Sequence, residues 1–153
     1  MNVVWRWHRW DQLDRDQVHA MFKARVDVFV VEQNCPYPEI DGKDPLAWHL
    51  FGYDGHPGKG CLIGYARLFA PGDYYDEPAA GRILTTGEGR GRGVGRAIME
   101  ECHRFSEARF GTRAVRLNGQ GYLKPFYESL GYRAVRGPYD EDGIEHWEML
   151  REG

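Results

Sequence analysis

A glycine-rich turn at residues 90–96 constrains this chain more than any other stretch. It reads Arg90-Gly91-Arg92-Gly93-Val94-Gly95-Arg96, follows a polar, β-branched run at 82–86, and leads directly into an amphipathic segment. This order predicts a strand, a tight turn and a helix, with unpaired backbone N–H groups at the helix N-terminus. Glycines let the backbone approach an anion closely, and arginines add charged donors. The turn therefore predicts a site for a phosphate or diphosphate group.

Three alternative structures contain turns of similar composition. The turn lacks the Lys-Ser or Lys-Thr pair of a P-loop, which disfavours hydrolysis of nucleoside triphosphates. It does not read Gly-x-Gly-x-x-Gly, and no acidic residue follows at the spacing of a dinucleotide-binding fold. Taken alone, the turn is equally compatible with a surface loop that carries solvated arginines.

Length and composition exclude several classes of protein. The 153 residues suit a single domain covering 1–153. The net charge of −3, from 23 acidic and 20 basic residues, disfavours nucleic acid as a partner. No apolar run approaches the roughly 20 residues of a membrane span and no signal-peptide pattern is present, so we expect a cytoplasmic protein without membrane contact. The three cysteines suit reduced thiols, and the six histidines lack metal-binding spacing, so no metal is expected.

Hydrophobic periodicity divides the chain into strands and helices. The predicted strands cover 3–8, 46–53, 61–69, 82–86, 113–118, 131–136 and 145–151. The second and third form an antiparallel hairpin joined by residues 54–60. One helix covers 15–31, capped by Asp14 and Gln17, and a short one covers 122–130. The helix after the glycine-rich turn ends at Gly111 and carries an apolar face of Val94, Ile98, Cys102, Phe105 and Ala108. These elements predict an α/β (α+β) fold with a mixed, mostly antiparallel sheet of about seven strands and helices on its faces.

Two motifs resemble those of the GNAT acyl-CoA N-acyltransferases. The first is Arg90-x-x-Gly93-x-Gly95 after a strand, and the second is Phe126-Tyr127-Glu128-Ser129-Leu130-Gly131-Tyr132. Three further stretches resemble the ElaA-like branch of that family. They are Arg25-x-x-Val28-Phe29-Val30-Val31-Glu32-Gln33-x-Cys35-Pro36-Tyr37, Asp41-Gly42-x-Asp44 and Glu141-Asp142-Gly143-Ile144-x-His146. Together these stretches extend from Arg25 to His146.

The resemblance implies a sheet whose fourth and fifth strands splay apart to admit acetyl-CoA as the co-substrate. It implies that Ile83, Leu84 and Thr85 offer main-chain groups to the pantetheine arm. It also implies that the turn holds the diphosphate through Arg90, Gly91, Arg92, Gly93, Val94, Gly95 and Arg96. Many members carry an asparagine seven residues before the tyrosine of the second motif. This chain has Gln120 there and Asn118 two residues earlier, so both are candidate coenzyme-binding residues.

The resemblance also implies catalytic roles. Tyr127 occupies the position of the family's proton donor, where a phenol can protonate the leaving thiolate; its spacing alone equally suits a core tyrosine with a bonded hydroxyl. The attacking amine must lose a proton, and Arg82 stands where some members carry a glutamate base. The candidate bases are therefore Glu32, His49 and His146, of which Glu32 and His146 are ranked as site residues. Each has a structural alternative: His49 in the sheet, Glu32 on loop amides and His146 in its own hairpin.

The expected function is transfer of an acetyl group from acetyl-CoA to a primary amine of a small molecule or a protein. The alternative is a non-catalytic module that binds or senses acyl-CoA on the same fold; RNA binding through the short Arg-Gly run is disfavoured. A homodimer is left open.

Cys35 is interpreted as a packing residue. The five tryptophans, Trp5, Trp7, Trp10, Trp48 and Trp147, are expected in the core and in the walls of a substrate cleft. If some of them line the acceptor side together with Glu39, Asp41 and Glu141, the pocket would suit a cationic amine or a basic peptide N-terminus. The alternative is that these carboxylates lie on solvated loops.

Overall fold

Seven strands form one sheet in the order β1-β2-β3-β4-β5-β7-β6, in a computed structural model that describes residues 2–55 and 60–153. The strands are β1 Val3–Arg9, β2 Trp48–Asp54, β3 Cys61–Phe69, β4 Ala79–Thr85, β5 Val115–Gln120, β6 Arg133–Glu141 and β7 Ile144–Arg151. The helices are α1 Arg15–Val26, α2 Val94–Phe110 and α3 Lys124–Glu128. The predicted sheet of mixed, mostly antiparallel strands is confirmed. Most of the predicted connection at 54–60 falls on residues 56–59, which lie outside the described part.

Strands β4 and β5 are the parallel neighbours of this sheet, and they pair over a very short distance. Only Ala79 with Arg116 and Ala80 with Leu117 are in register, whereas the other described strand pairs are antiparallel and longer. Beyond Ala80 the two strands diverge, which confirms the splay that the resemblance implied. The gap between them is the feature that positions the site.

A bulge in β4 marks the start of this divergence. Arg82 has a φ of 50°, in the left-handed region that non-glycine residues rarely adopt, and the pairing of β3 with β4 shifts between Tyr65 and Arg67. Strand β4 starts at Ala79, so the predicted start near Arg82 was wrong by three residues. Ala79, Ala80 and Gly81 follow a loop rich in proline and glycine, and such small residues carry little strand signal.

The first helix begins as predicted and ends differently. The Gln17 N–H donates to Asp14 Oδ1 at 2.8 Å and the Asp14 N–H donates to Gln17 Oε1 at 2.9 Å, which confirms the capping box. Helix α1 ends at Val26, and the predicted final turns continue through Asp27–Glu32 as a π-helix. Such wide turns are rare in proteins, and many of those that do occur lie at functional sites.

Helices cover both faces of the sheet. Adjacent residues of β2 show this, since Phe51 packs with Met21 of α1 whereas Leu50 packs with Val94 and Ile98 of α2. On α2 the predicted buried positions Val94, Ile98 and Cys102 are confirmed, but Ala108 is exposed. Met99, His103 and Ser106 are also buried. The buried face of α2 therefore includes positions next to the predicted ones, as Met99 is next to Ile98 and His103 is next to Cys102. Among the described helices, none has the length and apolarity needed to cross a bilayer.

Two buried histidines make the fold sensitive to acid. His49 Nε2 donates to the Asp44 carbonyl at 2.9 Å, so its Nδ1 accepts from the Tyr65 hydroxyl at 2.6 Å. His103 Nε2 lies 2.7 Å from the Tyr132 hydroxyl. Burial lowers the pKa of His49 and of His103 to about 4. Both rings are therefore neutral in the folded protein near neutral pH.

Lowering the pH from 7 to 5 should reduce the free energy of unfolding. An unfolded histidine titrates near pH 6.5, so between pH 6.5 and 4 the unfolded chain binds more protons than the folded one. The stabilisation is complete above this window and is lost as the pH falls through it, by up to about 1.4 kcal/mol per pH unit for each histidine. Urea unfolding at several pH values measures the slope.

The control for this prediction is the exposed His19. His103→Gln should flatten the slope, whereas His19→Gln should leave it unchanged. Equal unfolding free energies of the unmodified chain at pH 7 and pH 5 would contradict the assignment of neutral buried rings.

Candidate active site

A cavity of about 700 Å³ occupies the gap where β4 and β5 separate. Its lining comes from β4, β5, the end of the first helical segment, α3 and the turn between β6 and β7. Of the predicted site residues, the structure brings the following to this cavity: Glu32, Ile83, Leu84, Thr85, Arg90, Gly95, Asn118, Gln120, Tyr127 and His146. The cavity therefore gathers residues that lie more than one hundred positions apart in the chain.

The glycine-rich turn presents a run of unpaired donors beside the cavity. Gly93 is the N-cap of α2 with a φ of 74°, a conformation that glycine adopts without strain. The first backbone bond of the helix runs from the Ala97 N–H to the Gly93 carbonyl at 3.2 Å. No described residue accepts a hydrogen bond from the backbone N–H groups of residues 91–96. These groups and the positive end of the helix dipole form an anion site.

The three arginines of the turn have different surroundings. Arg90 lines the cavity, forms an ion pair with Glu32, and donates from Nε to the Thr85 carbonyl at 3.4 Å. Arg92 lies 3.1 Å from Asp54, away from the cavity, and Arg96 donates to Ser129 Oγ at 2.9 Å. The Val94 side chain is buried against the core, so only its backbone can meet a ligand.

The end of β4 has one free edge. Leu84 and Thr85 are in register with Tyr65 and Gly64 of β3 on one side. Their other side faces the gap, because the register with β5 ends at Ala80. An extended ligand in the gap could therefore bond main-chain groups of Ile83, Leu84 and Thr85 as an added strand would.

Tyr127 lies at the floor of the cavity with only 5% of its surface exposed. Its ring is confined by Phe126, at 5.2 Å between ring centroids, and by Tyr132 at 5.8 Å. A Cβ atom on Gly119 would lie 2.9 Å from the ring, so the absence of a side chain there makes room for it. No described residue hydrogen-bonds the hydroxyl, unlike that of an ordinary core tyrosine. Burial raises its pKa, so the phenol stays protonated at neutral pH and can act as a proton donor.

Asn118 and Gln120 reach the cavity wall but are bound to other side chains. Asn118 Nδ2 donates to the Tyr75 hydroxyl at 2.9 Å, and the Tyr139 hydroxyl donates to Asn118 Oδ1 at 2.5 Å. Gln120 exchanges two amide hydrogen bonds with Gln33, at 3.1 and 3.4 Å. Each amide keeps one N–H donor and one acceptor site free, so either can bind a coenzyme group without losing these bonds.

The three candidate bases differ in what surrounds them. Glu32 is half exposed and paired with Arg90, and His49 is fully buried in the sheet, as its structural alternative predicted. His146 lines the cavity, and its Nδ1 donates to the Ile144 carbonyl at 2.8 Å. Since a carbonyl only accepts, the neutral ring keeps its lone pair on Nε2. Glu141 Oε2 lies 3.4 Å from that nitrogen.

The tryptophans pack against the core, which was one of their two predicted places, and the hypothesis that some of them line the acceptor side is wrong for this cavity. None of the five tryptophans lines the cavity, whose aromatic residues are instead Phe29, Tyr37, Phe69, Tyr74, Tyr75, Tyr122, Phe126 and Tyr127. Glu39 and Asp41 are neutralised by arginines, and only Glu141 of the predicted carboxylates lines the cavity without an arginine partner among the described residues. Cys35 is buried, as predicted, and its thiol donates to the Asp142 carbonyl at 3.4 Å.

Sequence reasoning missed a buried ion network beside the cavity, formed by Arg25, Arg67, Arg82, Glu39, Asp41 and Asp44. Arg25 has no exposed surface and donates to Glu39 at 2.5 Å and to Asp44 at 2.7 Å. Arg67 makes a bidentate contact with Asp41 at 3.0 and 2.9 Å. Burial alone would raise the pKa of Asp41, but its hydrogen bonds from Arg67 lower it. The sequence contains one sign of this network, because Arg67 is a charged residue inside the otherwise apolar run of β3.

Comparison with known proteins agrees with this geometry. A family model described as "Acetyltransferase (GNAT) domain" matches residues 58–152. The UPF0039 protein sll0451 of Synechocystis is 39% identical over 98% of this chain and 96% of its own length. The crystal structure of an acyl-CoA N-acyltransferase from Pseudomonas aeruginosa is 32% identical with a TM-score of 0.90, and covers 98% of this chain and 99% of its own.

Two further structures extend the comparison. The crystal structure of Escherichia coli ElaA is 33% identical, with a TM-score of 0.87, and covers 99% of this chain and 100% of its own. A GNAT family acetyltransferase from Elizabethkingia anophelis, solved with acetyl-CoA bound, is 12% identical with a TM-score of 0.67 over 99% and 98% of the two chains, and shares the fold. From the family model and the full-length relatives together, this chain belongs to the GNAT acetyltransferase family, in its ElaA-like branch.

Proposed function

We propose that this protein transfers an acetyl group from acetyl-CoA to a primary amine of a small molecule or a protein. The observation that carries the proposal is the gap itself, with unpaired N–H groups of residues 91–96 at one end and the buried Tyr127 hydroxyl on its floor. The donors suit a diphosphate, and the free edge of β4 suits the amide groups of a pantetheine arm. Acetyl-CoA is bound in the structure of a protein that shares this fold.

The residues of the chain then divide the chemistry between them. Acetyl-CoA supplies the thioester whose carbonyl carbon an amine attacks. His146 accepts at Nε2 the proton that the amine loses, and the Glu141 carboxylate lies 3.4 Å from that nitrogen. Tyr127 donates its phenolic proton to the leaving sulfur. The geometry favours His146 over Glu32 as the base, since the His146 side chain lies within the cavity wall with 11% of its surface exposed, whereas the Glu32 side chain is half exposed to solvent.

Two measurements on the purified chain test this proposal. Calorimetry should detect binding of coenzyme A, and release of free thiol should accompany incubation with acetyl-CoA and a panel of primary amines. Because the cavity contains a proton donor and a base, we expect turnover with at least one class of amine. Failure to bind coenzyme A would reject the proposal. Binding without transfer to any acceptor would instead favour a non-catalytic acyl-CoA-binding module.

A further inference from the structure

The end of the first helical segment reaches across the mouth of the gap. We call residues 27–33 the strap. On one side Glu32 forms an ion pair with Arg90, which follows β4. On the other side Gln33 exchanges amide hydrogen bonds with Gln120, at the end of β5. All four residues line the cavity, so the strap bridges the two strands that diverge to form it.

The two ends of the strap are held differently. Val28 and Phe29 are partly buried and pack against the core cluster that contains Met21. Val31, in contrast, keeps 68% of its surface exposed, and none of the residues Asp27–Glu32 is fully buried. A segment with few buried apolar contacts opens at low free-energy cost. At its C-terminal end the strap is therefore held over the gap largely by the polar contacts to Arg90 and Gln120.

Arg90 contacts two groups of the protein that a bound coenzyme would replace. Its guanidinium contacts the Glu32 carboxylate and the carbonyl of Thr85, on the free edge of β4. Residues 91–96, whose N–H groups are unpaired among the described residues, directly follow Arg90 in the chain, and a diphosphate bound there would carry more negative charge than a carboxylate. Arginine pairs with phosphate oxygens through two parallel hydrogen bonds.

We propose that Glu32 and Gln33 hold the coenzyme groove closed in the free protein, and that the diphosphate takes Arg90 from Glu32 when it binds. This inference rests on the proposed function. Cys35 and Tyr37 follow the strap directly and line the same cavity. Release of the strap therefore shifts this part of the cavity wall.

The test compares coenzyme A affinities by calorimetry on the full chain. Glu32→Gln removes the competing charge, keeps the side-chain volume, and should tighten binding by about two- to fivefold, the range expected of a half-exposed ion pair. Asp27→Asn is the matched control. It removes one negative charge from the same strap, but Asp27 pairs with Lys23 at 2.6 Å and does not line the cavity. Its affinity should equal that of the unmodified chain.

A double variant separates competition for Arg90 from simple charge repulsion. In an Arg90→Gln background, Glu32→Gln should give no further gain, because there is no guanidinium left to release. A gain that persists there would overturn the inference in favour of repulsion between Glu32 and the coenzyme. Unchanged or weaker binding by Glu32→Gln would overturn it directly. Absence of binding by the unmodified chain would remove the proposed function, and this inference with it.

Discussion

Replacing Tyr127 with phenylalanine should lower the rate constant for acetyl transfer by about 10²-fold or more, the range of general acid catalysis. The coenzyme affinity should change little, because the ring keeps its packing against Phe126, Tyr132 and Gly119. Only the unbonded hydroxyl is lost. Steady-state kinetics with a responsive amine, together with calorimetry of coenzyme A, measure the two quantities separately.

The matched control is Tyr132→Phe. Tyr132 belongs to the same aromatic group, but its hydroxyl lies 2.7 Å from His103 and it does not line the cavity. Its removal should cost stability of about 1 kcal/mol and leave the rate constant near that of the unmodified chain. A Tyr127→Phe variant that transfers acetyl groups at the full rate would show that solvent or another residue protonates the leaving sulfur.

Replacing Arg25 with methionine should destabilise the fold by about 3–5 kcal/mol, the usual cost of removing one partner from a buried ion pair. Methionine fills a similar volume, but it leaves the Glu39 and Asp44 carboxylates without their main donor. Those carboxylates are buried and cannot recover the loss by hydration. Urea unfolding at pH 7 measures the difference.

Lys23→Met is the corresponding control on the same helix. Lys23 pairs with Asp27 in solvent, and exposed pairs of this kind contribute little to stability, so Lys23→Met should change the free energy of unfolding much less than Arg25→Met. An Arg25→Met, Asp44→Asn double variant should lose less than the sum of the two single changes, because it removes both members of a pair. A loss below that of Lys23→Met would mean that the network does not depend on Arg25.

Local patterns predicted much of this fold because they depend on neighbouring residues. The capping box at Asp14 and Gln17, the end of α2 at Gly111 and the strand order around the glycine-rich turn all follow from short-range geometry. The π-helical turn at 27–32 could not be predicted, since its wider turns leave nearly the same apolar spacing over six residues. The bulge at Arg82 was hidden for a similar reason: only its backbone angle reveals it.

The pairing of charges was the main feature beyond the reach of sequence reasoning. Arg25 contacts Asp44, 19 positions away, and Arg67 contacts Asp41, 26 positions away. Each of these residues could equally face solvent, and the turn-rich stretch between Glu32 and Asp44 gives no periodicity that would decide it. The hypothesis of an acidic acceptor pocket failed for Glu39 and Asp41 for this reason, because both carboxylates are paired with arginines.

The pairing of β4 with β5 extends over only two residue pairs, and this has a mechanical consequence. With register only at Ala79 and Ala80, the sheet consists of a four-stranded panel and a three-stranded panel that share a narrow seam. Deformation concentrates where the fewest backbone bonds resist it. Only two register positions of the described chain join the panels through backbone pairing, so the angle between the panels depends on the side chains that pack across the seam and on whatever occupies the gap.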